Sequence, residues 1–216
     1  PTLSAELRRL LYVAGAAIER AYAVDPRDSG ARPAPEPISA RVSALALGFG
    51  FEEVRSFVSP ELGCDCFGTG PAPAAIVLGQ ALVEHEDPAV FTFLVLRSLS
   101  LAKLNACALA RATPDQAWEM LAGFFACFGP AAAASGDDAQ RLVMARSRIR
   151  PHLPWAPERD LSDRVTALTE ELLPRAGELH DVLLSWGARV ALLGVGDPAD
   201  DVAHERLGDA GVHAIV

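Results

Sequence analysis

Two short stretches carry the residue types that metal and hydrolytic chemistry need. His85-Glu86-Asp87-Pro88 begins like the zinc signature H-E-x-x-H, in which imidazoles one helical turn apart share an ion and the glutamate activates water. The residue four positions after His85 is Ala89, however, and Pro88 intervenes. Asp87 as a helix N-cap, with Pro88 at the first helical position, explains the stretch better. His180-Asp181 could join His85 and Glu86 in a displaced metal site, and an exposed helix face is the plainer account. His152, His204 and His213 stand alone, so solvated or capping roles are expected. Cys64-Asp65-Cys66 lacks the second cysteine pair that structural zinc sites use, and is expected to be a strand with buried thiols.

Other catalytic signatures are missing. Leu47-Gly48-Phe49-Gly50-Phe51 has neither the third glycine nor the lysine of a phosphate loop. Gly194-Val195-Gly196-Asp197 follows a helix, the wrong context for a dinucleotide fingerprint. There is no Gly-x-Ser-x-Gly elbow. Trp118, Trp155 and Trp186 are too dispersed to stack bases and are read as packing residues.

The elements that must position any site are mostly helical. Apolar spacing predicts helices over 4–24, 38–48, 88–104, 114–128, 139–150, 161–173, 179–193 and 198–207. Asp87-Pro88, Thr113-Pro114 and Asp197-Pro198 each read as a cap followed by a first-turn proline. The run Val90 to Leu96 is apolar nearly all round, which marks a buried central helix. Asp25 to Pro37 and 129–138 read as loops. Between them, Val54 to Val58, Cys64 to Phe67 and Ala75 to Leu78 predict three short strands in a small antiparallel sheet. The fold class is α+β, mostly helical, with that sheet beside the central helix.

Composition narrows the function. The chain has 216 residues, 50% hydrophobic and 22% charged, with net charge −9. That is enough for one domain with a sizeable core and too apolar for intrinsic disorder. Of 19 basic residues only Lys103 is a lysine, and the arginines are scattered; no basic face serves a nucleic acid. No apolar run reaches the ~20 residues a membrane span needs. Four cysteines make no disulfide framework, and a reducing, cytoplasmic setting is expected. Pro1-Thr2-Leu3-Ser4 has no methionine and no signal-peptide layout, and the chain is expected to be a piece of a longer protein or processed.

The order of elements carries a resemblance. Ala74-Ala75-Ile76-Val77-Leu78-Gly79-Gln80-Ala81-Leu82-Val83, then Glu86-Asp87-Pro88, then Phe93 through Leu101, and finally Leu184 through Leu207 with Gly196-Asp197-Pro198, resemble HtpX-like zinc metallopeptidases. The resemblance implies a zincin-like fold in 51–208, preceded by an N-terminal helical extension in 1–50 and followed by a tail in 209–216, all one domain in 1–216. It also implies where zinc chemistry would sit. The first histidine position is Arg97, the general-base position Ser98, the second histidine position Leu101, and the third ligand Leu184 or Ser185. A guanidinium has no lone pair to give and leucine no donor atom. The resemblance therefore implies a pseudo-peptidase that has lost its zinc ligands, with no metal and no cofactor.

Function is accordingly expected to be non-catalytic: a structural or protein-interaction module of a larger cytoplasmic bacterial protein. It would hold a protein or peptide in the inherited cleft or along the sheet edge. Arg97 and Ser98 mark the candidate interaction site, and Arg97 either points to solvent or pairs with Glu170, Glu171 or Asp181 from later helices. The alternatives are a hydrolase using the displaced set His85, Glu86, His180 and Asp181, and a plain helical adaptor unrelated to peptidases.

Overall fold

A computed structural model describes residues 3–70, 73–128, 137–153, 165 and 168–195. The chain is α+β and mostly helical, with one small sheet. Helix α1 (Ala5–Ala21) starts at Ser4, whose hydroxyl accepts the Leu7 amide hydrogen at 3.3 Å. Leu7, Leu11 and Ile18 on its inner face are fully buried. Helix α2 (Glu36–Gly48) follows a stretch expected as loop, which contains a 3-10 turn (Pro26–Ser29) and a two-residue strand, β1 (Arg32–Pro33). Proline and short polar residues hid both elements, because a strand this short has no alternation to read.

The sheet has the order β1-β2-β4-β3, with β2 at Val54–Ser59, β3 at Cys66–Thr69 and β4 at Ala74–Gly79. β2 and β4 lie where the sequence puts them; β3 is shifted two residues on from the expected Cys64–Phe67, and the sheet is mixed rather than antiparallel. β4 runs parallel to β2 and antiparallel to β3, and β1 is antiparallel to β2. The chain leaves β2, crosses to the far edge, returns as β3, and turns at Gly70 (φ +63°) to send β4 between them. The reason lies in β4 itself. All six of its residues are buried: Ala74, Ile76 and Leu78 face one cluster with α4, while Ala75 and Val77 face another with Ala31 and Phe57. A strand with no polar alternation belongs in the middle of a sheet covered on both faces.

A single helical turn, α3 (Gln80–Val83), leads from β4 to α4 (Pro88–Lys103), which begins as expected: the Asp87 carboxylate accepts the Ala89 amide hydrogen at 2.8 Å, with Pro88 in the first turn. Short helix α5 (Cys107–Arg111), too brief to announce itself by periodicity, joins α4 to α6 (Pro114–Phe125). Thr113 and Gln116 close a capping box at the start of α6. Helix α7 (Asp137–Ile149) follows, and α8 (Leu179–Val195) returns to lie along α4, the most extensive helix–helix contact among the described residues. The core has two main parts. One joins α1, α5, α6 and the first half of α8; the other joins α2, the sheet, α4 and Ala191 of α8. Residues 1–50 thus bury Leu7, Leu11 and Val42 in the same interior as the segment they precede. In the helix expected at 161–173, residues 165 and 168–172 are helical. Of the loop expected at 129–138, residues 137 and 138 already belong to α7. Its remainder, residues 161–164 and 166–167 of the expected helix, the helix at 198–207, and Trp155, His204 and His213 lie outside the described residues.

Candidate functional site

The middle of α4 meets the outer edge of β3. Arg97 Nη2 donates to Asp65 Oδ1 at 2.7 Å and to the Cys66 carbonyl at 3.4 Å. The Ser98 hydroxyl donates to the same carbonyl at 3.1 Å. Asp65 Oδ1 also accepts the Cys66 amide hydrogen at 2.7 Å, and Arg111 Nη1 on α5 donates to the Gly68 carbonyl. The Asp65 carbonyl, by contrast, accepts the Gly79 amide hydrogen at 2.9 Å. Backbone polar groups alternate sides along a strand, so Cys66 and Gly68 present the free edge, and side chains of α4 and α5 already occupy their carbonyls.

The expected partners of Arg97 were on later helices; its partner is Asp65. Helix α8 approaches Arg97 with Gly187, where a Cβ would sit 3.2 Å from Arg97 Cγ. α8 therefore packs on the arginine stem and leaves the guanidinium facing β3. The Arg97 side chain is 19% exposed and that of Asp65 58%, so the pair straddles the surface rather than pointing into solvent. Gly68 makes the approach possible from the strand side. A Cβ there would lie 2.8 Å from Cys107 Sγ and 3.2 Å from the Ser98 carbonyl.

Against this junction lies a cavity of about 270 Å³. Arg97, Ser98, Leu101 and Leu184, the four positions aligned with zinc chemistry by the resemblance, all line it. Asp65, Cys107, Arg111 and His180 line it too. Ser185, the other choice for the third ligand, is half-buried on α8, and its carbonyl accepts from Arg189 Nε at 3.3 Å.

A zinc ion does not fit this donor set. The guanidinium at position 97 is permanently cationic and already directed at Asp65, and the side chains at 101 and 184 are hydrocarbon. Burial pushes the Cys66 thiol up to about 12, against a smaller opposing effect of the Ser98 hydrogen bond and the Arg97 charge. Cys107 is raised well above its usual value as well, by burial first and then by the nearby Glu19 charge. Neither sulfur is a thiolate at neutral pH, so neither is an activated nucleophile. Cys64, expected as a second buried strand thiol, is exposed and precedes β3.

The displaced set is not assembled. His85 and Glu86 are exposed in the turn before α4, where His85 Nδ1 accepts the Asp87 amide hydrogen at 3.1 Å. His180 begins α8 at the opposite end of α4, beside Leu101, and Asp181 is exposed. The stretch of α4 from Pro88 to Leu101 separates the two pairs, about 20 Å of helix at ~1.5 Å per residue. Among the described residues no group of three or more His, Cys, Asp and Glu side chains is placed to hold a metal ion.

Sequence reasoning missed Asp65, Cys107, Arg111 and Glu19. Glu19 is only 2% exposed, and its Oε1 accepts the Ala108 amide hydrogen at 2.7 Å in the first turn of α5. Burial raises its pKa above the usual 4.5, opposed by the Ala108 hydrogen bond and by Arg111. A signal was present: Glu19 falls on the buried stripe of α1 with Leu11 and Gly15, where a charge is out of place. Arg111 and Cys107 had none, lying in an unread helix.

Comparison of the chain with family models, curated proteins and solved structures finds no match. No helix among the described residues is long and apolar enough to cross a membrane.

Proposed function

We propose that the chain is a non-catalytic pseudo-metallopeptidase domain, acting as a structural or protein-interaction module of a larger cytoplasmic bacterial protein. One observation carries this reading. Residues 97, 98 and 101 on α4 and residue 184 on α8, chosen by resemblance, line one cavity. There they supply a clamp rather than a metal seat: Arg97 and Ser98 bind the Cys66 carbonyl and hold β3 to α4. The sheet spanning 54–79 stands against a plain helical adaptor. Strand addition along β3, the docking mode that resemblance suggests, is disfavoured because the Cys66 and Gly68 carbonyls are engaged. A protein or peptide partner is met through the cavity mouth or the helical surface instead.

Restoring the ligands tests the ancestry. The triple variant R97H/L101H/L184E should bind one zinc ion, read by metal analysis of the folded protein, while the unmodified chain takes none in stoichiometric amount. A folded triple variant that takes up no zinc overturns the reading. So does an unmodified chain that purifies with one zinc ion and loses it on His85→Ala or His180→Ala.

A further inference from the structure

The cavity beside β3 is cationic in an acidic chain. Arg97 and Arg111 line it, and Asp65 is the one carboxylate among its described lining residues, although the whole chain carries net charge −9. Both guanidiniums stay charged at any physiological pH. Arg97 Nε and His180 Nδ1, on residues of this wall, are buried and have no hydrogen-bond partner among the described residues. Buried polar atoms left unpaired are rare enough in folded proteins to call for a ligand or solvent partner. The remaining wall is mostly apolar and includes Phe67, Leu101, Ala110 and Leu184. Its volume of about 270 Å³ is that of roughly nine waters at ~30 Å³ each.

We propose that this cavity binds a monocarboxylate on a short apolar body, the carboxylate toward Arg97 and Arg111 and the body against Leu101 and Leu184. Arg97 is paired with Asp65, while the carboxyl nearest in effect to Arg111, that of Glu19, is pushed by burial toward its neutral form. The second guanidinium is left with a charge to neutralise, which a monocarboxylate supplies and a phosphate dianion exceeds. Leucine walls reward a hydrocarbon body and give a bare inorganic anion nothing. A free short-chain acid and the C-terminal residue of a peptide share this chemistry. The inference stands apart from the ancestry proposed above, since it uses only the charges and walls of the cavity.

Calorimetric titration of the full chain tests it with isocaproate and N-acetyl-glycyl-leucine, against isocaproamide and inorganic phosphate. Saturable one-to-one binding is expected for a carboxylate, weakened about tenfold or more when the amide replaces it. Tighter binding of the peptide assigns a C-terminal residue, and equal or tighter binding of isocaproate assigns a free acid. Leu184→Trp puts a bulky side chain into the cavity from α8, and should abolish binding in a protein that still unfolds cooperatively. Arg97→Met should abolish it as well. The proposal fails if the amide or phosphate binds equally well, if Leu184→Trp leaves affinity unchanged, or if neither carboxylate saturates by roughly 10 mM.

Discussion

The N-terminal approach to α4 and the body of the helix present opposite cases. The approach holds His85, Glu86 and Asp87, the residues with the most chemical promise in the chain. They sit exposed in a turn, where Asp87 caps the helix and His85 accepts the Asp87 amide hydrogen. The body of the helix offers Arg97 and Ser98 in an apolar run, and these bind the edge strand beside a cavity. Residue type alone pointed to the first region. Burial and convergence of elements decide for the second, because a polar group in a buried position must find a partner and thereby organises whatever is nearby.

Substitutions can break this contrast. The largest effect is expected from Gly68→Val, which drives a side chain into Cys107 and the Ser98 carbonyl. It should cost about 3 kcal/mol of unfolding free energy by urea titration. Arg97→Ala removes the Asp65 pair, one of two donors to the Cys66 carbonyl, and a packed stem. With Asp65 largely exposed, screening trims the ionic share, leaving a loss of about 1–2 kcal/mol. Glu19 sharpens the same side through pH. Its folded-state pKa lies above the unfolded one, so its stabilising contribution is complete below the unfolded value and is lost as pH rises through the folded value. Glu19→Gln should flatten that decline in denaturation midpoints measured across the acidic range. At the N-terminal approach, Asp87→Ala should cost about 1 kcal/mol, the worth of an N-cap. His85→Ala and Glu86→Ala should stay within about 0.5 kcal/mol of the unmodified chain; a larger change in either would erase the distinction between the two regions.

Legibility followed the range of the signal. The caps at Ser4, Asp87 and Thr113 and the buried character of α4 are local, and all were readable. The parallel pairing of β2 with β4 is not local. Three strands in a row suggest a meander, and only the two-sided burial of Ala74–Gly79 argues for a central position. Arg97 and Ser98 were readable as candidates, but their acceptor on β3 was not. Finding it required knowing that Gly187 closes one side of Arg97 and that Gly68 opens the other. Cys107 and Arg111 lie in a five-residue helix that no periodicity reveals.

The strand order has a consequence for biosynthesis. β2 and β3 are never neighbours; each waits for β4, the last of the strands to emerge. A nascent chain that has reached Gly70 therefore carries two strands with open amide and carbonyl rows and an apolar face, the condition in which chains adhere to one another. The interval ends when Ala74–Gly79 slides between them, so slowing translation while Gly70 has left the ribosome and Ala74–Gly79 is still enclosed by it should raise the yield of aggregate more than slowing it once Gly79 is out.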